Sequence, residues 1–78
     1  MSEYIATLNK VSEGESVLVK ELLASESMRR RLQDIGLIEG TRVECLQKSP
    51  SGDPTAFLIR GAVIALRNET AAEIVVEN

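Results

Sequence analysis

What most limits the folds open to this chain is how often its sequence turns. Its five glycines and two prolines stand at Gly14, Gly36, Gly40, Pro50, Gly52, Pro54 and Gly61, and the stretches between them have room for one or two short elements each. Short strands with turn signals about every ten residues, in a chain too small for a two-sheet sandwich, predict a small, partly open β-barrel. At 78 residues the chain can bury one modest core, so residues 1–78 are read as a single unit.

The local signals give the element order. Leu8, Val11 and Gly14 are spaced as one tight turn that tucks two apolar side chains inward, and the chain reverses at Gly14-Glu15. Ser16 to Leu22 reads as a strand, although Val17-Leu18-Val19 does not assign its two faces. Ser25 before Glu26 is an N-cap with a carboxylate in the first turn, where the helix dipole favours negative charge. Met28, Leu32 and Ile35 then form a narrow apolar stripe at i, i+4 and i+7. Gly36 ends the helix in a left-handed C′ position, which makes Leu32 and Leu37 the touching pair of a Schellman cap. Glu39-Gly40 is the centre of a type II turn.

From residue 41 to 47 the chain alternates, with Val43 and Cys45 inward, Arg42 and Glu44 outward, and Leu46 interrupting the polar face. Residues 50–54 are a surface loop. Two apolar runs on either side of Gly61 make a hairpin or a sharply bent strand, with Ile64 and Leu66 sharing a face. Asn68 is placed to cap one helical turn, and Ile74-Val75-Val76 supplies a last strand. The expected fold is mainly β: about five strands and one inserted α-helix.

Composition removes most catalytic chemistry. Histidine is absent and cysteine occurs once, so zinc fingers, disulfide scaffolds and Ser-His-Asp or Cys-His pairs are excluded, and neither an enzyme nor a resident cofactor or metal is expected. The lone Cys45 suits a reducing compartment and an inward strand position, which places the chain in the cytoplasm. The longest apolar run, Ala62 to Leu66, is far short of the roughly twenty residues of a membrane span, and Met1-Ser2-Glu3-Tyr4 shows no export signal. Nine Lys and Arg against twelve Asp and Glu give a net charge of −3, which opposes a phosphate backbone, and Tyr4 and Phe57 alone offer no base-stacking platform.

Arg29-Arg30-Arg31 is the strongest local charge feature. At 100° per residue the three spread around the helix: Arg30 stands opposite the apolar stripe, paired with Glu26 four residues earlier, and Arg29 and Arg31 flank the stripe. Arg31 is expected to lay its stem on the core and bridge to carbonyls or to Asp34. Asp34, in the last turn where the dipole disfavours a carboxylate, is expected to accept hydrogen bonds from the post-helix loop or from Arg31.

The run Arg31-Leu32-Gln33-Asp34-Ile35-Gly36-Leu37-Ile38-Glu39-Gly40-Thr41, then Val43, Ser51-Gly52-Asp53-Pro54, Ile59-Arg60-Gly61 and Ile64-Ala65-Leu66-Arg67 resembles the FeoA family, small cytosolic accessory proteins of bacterial ferrous iron transport. The resemblance runs from about Leu8 to Val76. It implies an SH3-like barrel with a helix inserted after the first strand. It also implies a partner, the membrane transporter FeoB with its cytosolic GTP-binding domain, so that contact with the membrane is only indirect. The similar barrel of iron-dependent repressors implies the alternative of a regulatory or corepressor module in transcription. Cys45 departs from the aliphatic residue usual in the family, and the aromatic groove of peptide-binding SH3 domains is missing. For docking, the candidates are Arg29 and Arg30 on the helix and Gly52 and Asp53 in the loop. Arg31, Leu32, Asp34, Gly36, Gly40 and Gly61 form the structural motif.

Overall fold

The computed structural model describes residues 5–78; the expectation about an export signal lies outside the described residues. The chain runs β1 (Ile5–Thr7), a 3-10 turn (Leu8–Lys10), β2 (Ser16–Leu22), α1 (Glu26–Asp34), β3 (Arg42–Lys48), β4 (Thr55–Ile59), β5 (Ala62–Leu66), α2 (Asn68–Ala71) and β6 (Ile74–Glu77). The six strands form one antiparallel sheet in the order β1-β6-β2-β3-β4-β5. It is mainly β, as expected, and the sheet is not closed. The sixth strand is β1, which the sequence reading missed. Three residues carry too little pattern to announce a strand, and β1 exists because Ile5 to Thr7 pair with Glu77 to Val75 at the other end of the chain.

The core lies on one face of the curled sheet. Val17 and Val19 of β2, Val43 and Cys45 of β3, Phe57 and Ile59 of β4, and Ile74 and Val76 of β6 all point inward at alternate positions. Leu8 and Val11, on the turn between β1 and β2, close one end, and Leu37, just past α1, closes another. Register shifts bend the two central strands, between Val19 and Glu21 in β2 and between Cys45 and Gln47 in β3. Leu46 sits at the second shift, which is why it breaks the alternation and stays on the surface.

The choice left open at Gly61 resolves as a hairpin. Ile59 pairs with Ala62 across a two-residue turn in which Arg60 and Gly61 have φ of 51° and 85°, the doubly positive geometry of a type I′ turn. A non-glycine residue in that region is uncommon, and Arg60 is held there by the pairing on either side of it. β5 lies beyond β4 at the edge of the sheet.

Candidate docking surface

α1 begins and ends as its sequence dictates. The Ser25 hydroxyl accepts a hydrogen bond from the Met28 N–H at 3.4 Å. At the other end the Leu37 N–H donates to the Leu32 carbonyl and the Gly36 N–H to the Gln33 carbonyl, both at 3.0 Å, with Gly36 at φ 104°. These are the two bonds of a Schellman cap, and Leu32 and Leu37 are both buried. The next turn has the Thr41 N–H donating to the Ile38 carbonyl at 3.0 Å with Gly40 at φ 89°. Gly40 and Thr41 also tie this corner to β2, through Gly40 N–H to the Val19 carbonyl at 2.8 Å and Val19 N–H to the Thr41 carbonyl at 2.9 Å.

Two expectations at this helix end are corrected. Neither Arg31 nor Asp34 makes a side-chain hydrogen bond or ion pair among the described residues, and both are exposed. The work assigned to Asp34 is done by Thr41, whose hydroxyl donates to the Gly36 carbonyl at 2.8 Å and accepts from the Ile38 N–H at 3.3 Å. A hydroxyl both donates and accepts, so one short side chain satisfies two loop groups that a carboxylate could serve only in part.

Arg29 and Arg30 point to solvent. Arg30 reaches Glu26 at 3.9 Å with both side chains highly exposed, the i,i+4 pairing that the sequence predicts, and such a pair holds little energy. Arg31 turns the other way. Together with Met28, Leu32 and Ile35 it forms one wall of a groove of about 320 Å³, and Ala65, Leu66, Arg67 and Thr70 form the other. Of the stripe, only Leu32 is fully buried; Met28 packs against the core from a partly buried position and Ile35 is 36% exposed. The stripe is thus shared between the core and an apolar groove edged by two guanidinium groups.

The loop between β3 and β4 is fastened beside that groove. One Asp53 carboxylate oxygen accepts the Asn68 N–H at 2.8 Å, and the other lies 3.9 Å from an Arg67 nitrogen. The expectation that Asn68 caps α2 is therefore corrected: Asn68 is the first helical residue, Arg67 stands at the cap position without a capping side chain, and Asp53 supplies the acceptor from the loop. Gly52, at φ 88°, donates its N–H to the Ser49 carbonyl at 2.8 Å and closes the turn. Arg67 lines the groove and pairs with Asp53 of the loop. The sequence reading named it only as the end of the run Ile64 to Arg67 and assigned it no role.

The described residues contain no group of three or more Asp, Glu, Cys or His able to hold a metal ion. Cys45 is buried between strands opposite Phe57. Burial pushes its thiol up, with Lys48 pulling it back and Glu13 and Glu15 adding to the rise, and at this buried position the sulfur packs as an apolar group. No helix among the described residues is long and apolar enough to cross a membrane.

Comparison with known proteins agrees with this geometry. The FeoA domain family matches residues 6–78. A FeoA-like protein from Clostridium acetobutylicum is 33% identical, with 97% of this chain and 87% of that chain covered and a TM-score of 0.85. FeoA from Stenotrophomonas maltophilia, solved with zinc and described as a prokaryotic SH3 domain protein, is 28% identical, with 90% and 87% covered and a TM-score of 0.80. A manganese-dependent transcriptional repressor shares the fold alone, at 21% identity and a TM-score of 0.84, with 97% of this chain against 42% of that chain. No curated protein matches the chain. A match that spans the core, the capped helix, the groove and the Asp53 loop together makes this chain a member of the FeoA family.

Proposed function

We propose that this protein is a cytoplasmic accessory factor of ferrous iron transport that binds the cytosolic part of the FeoB transporter and catalyses no reaction. The observation that carries this reading is the family match over residues 6–78. The Stenotrophomonas relative, proposed as an activating factor of ferrous iron transport, supports it. The surface suits such a role: α1 presents cationic side chains outward, and an arginine-rich helix is complementary to an acidic partner. Arg29 and Arg30 are the proposed outward contacts on α1, and the loop around Gly52 and Asp53 is the competing surface. The alternative, a regulatory module in transcription, draws on a likeness of fold alone to the manganese-dependent repressor, and fold does not carry function. A net charge of −3 also works against contact with DNA.

The test is calorimetric titration of the chain with the purified cytosolic portion of FeoB. Saturable association is expected, weakened about tenfold or more by Arg29→Glu with Arg30→Glu in a variant whose circular dichroism is unchanged. Absence of association with the wild-type chain overturns the reading. Wild-type affinity in the folded double variant removes Arg29 and Arg30 from the contact.

A further inference from the structure

β5 ends the sheet. Among the described residues its only strand partner is β4. Because Ile59 and Ala62 close a two-residue hairpin, the residues of β5 that exchange hydrogen bonds with β4 are Ala62, Ile64 and Leu66. The N–H and C=O groups of Val63 and Ala65 consequently point away from the sheet. Natural edges are usually blunted by charge, by proline or by a covering element. Ala62–Leu66 has no charged residue and no proline, and Val63 is 66% exposed.

The groove described above adjoins this edge. Ala65 and Leu66 form part of one wall and α1 forms the other, with Met28, Leu32 and Ile35 giving an apolar lining. Arg31 and Arg67 edge it. Among the described residues Arg31 has no partner, and Arg67 has one half-exposed carboxylate at 3.9 Å, which there leaves most of its five N–H donors free. A free strand edge gives main-chain hydrogen bonds, an apolar pocket beside it selects a side chain, and two guanidinium groups select negative charge.

We propose that an extended, acidic segment of the partner protein adds to the outer edge of β5 as a further strand, setting one apolar side chain in the groove against Met28, Leu32 and Leu66 and a carboxylate between Arg31 and Arg67. This rests on the partner-binding reading above and specifies its mode. Charge selects the occupant. A second copy of the chain would offer this edge its own β5, which carries no carboxylate to meet Arg31 and Arg67, whereas an acidic segment supplies one.

Amide hydrogen exchange of the chain, alone and saturated with the cytosolic portion of FeoB, reads the contact directly. Binding slows exchange at Val63 and Ala65 by about tenfold or more, because a main-chain hydrogen bond replaces water at each. Arg31→Glu and Val63→Pro each weaken binding by about tenfold or more, and proline is tolerated at Val63 because that N–H faces away from β4. Should Val63→Pro fail to fold, Arg31→Glu and the exchange measurement decide alone. A complex that leaves Val63 and Ala65 exchanging as before, or that forms with wild-type affinity in folded Arg31→Glu, overturns the strand-addition proposal and leaves the accessory reading standing. Dimerisation of the chain alone with protection of the same two amides also overturns it, and absence of any association removes both.

Discussion

β4 and β5 are the two strands of one hairpin, equal in length, free of charge and paired residue to residue, yet they live in different environments. In β4, Thr55, Phe57 and Ile59 are buried and the residues between them half-buried. In β5, Ala62, Val63 and Ala65 are exposed, Ile64 is half-buried and only Leu66 is buried. Composition does not separate them. Position does, because β4 has β3 on its far side and β5 has no strand there among the described residues. A hairpin built this way keeps stability in one strand and leaves the other available for contact.

The sharpest way to break the comparison is to truncate both strands. Phe57→Ala removes the largest fully buried side chain and is expected to cost about 3–5 kcal/mol, a large share of the stability of a domain of this size, read by chemical denaturation. Val63→Ala on the partner strand, at a position 66% exposed, is expected to stay within about 0.5 kcal/mol in the same assay. Equal losses would mean that β5 is as much core as β4.

The hairpin tip offers a second test. A Cβ placed on Gly36 would come within 2.5 Å of Arg60 Cδ, and Gly36 sits at φ 104°. Gly36→Val is expected to cost about 1–2 kcal/mol for the backbone alone and to lower Tm by about 5–15 °C. Adding Arg60→Ala to Gly36→Val is expected to restore only the part due to the contact. Full recovery would show that the tip, and not the left-handed backbone, sets the penalty.

Asp53 sharpens the comparison from the loop side, where it fastens α2 next to the end of β5. Asp53→Ala is expected to cost about 1 kcal/mol through the lost acceptor at Asn68, read as a Tm lower by about 4–8 °C. An unchanged Tm would show that α2 needs no acceptor from the loop.

The smallest effect belongs to Cys45, on the buried side facing Phe57. Its thiol is raised in the folded state, chiefly by burial, so the native state holds this proton longer than the unfolded chain does. Stability is then fully present below the unfolded thiol range of about 8.5 and falls as pH rises through the higher folded value. Denaturant midpoints from pH 7 to 10 should show this decline, and Cys45→Val should flatten it. An identical slope in both proteins would assign the decline to other groups.

What could be read from the sequence alone was local. Ser25, Gly36, Gly40 and the Leu32–Leu37 pair set the limits of α1 and its cap, because capping and positive-φ turns depend on residues a few positions apart. The alternation at Val43 and Cys45 likewise fixed one face of β3. The rest depended on distant partners. β1 exists through pairing with β6, Asp53 became a cap through Asn68, and Thr41 in place of Asp34 satisfied the helix end. The groove needed α1 to come to rest beside β5, and nothing in Met28, Arg31 or Arg67 separately announces it. Sequence spacing encodes neighbours along the chain, whereas an edge, a groove and a shared carboxylate arise only when tertiary packing decides which segments lie side by side.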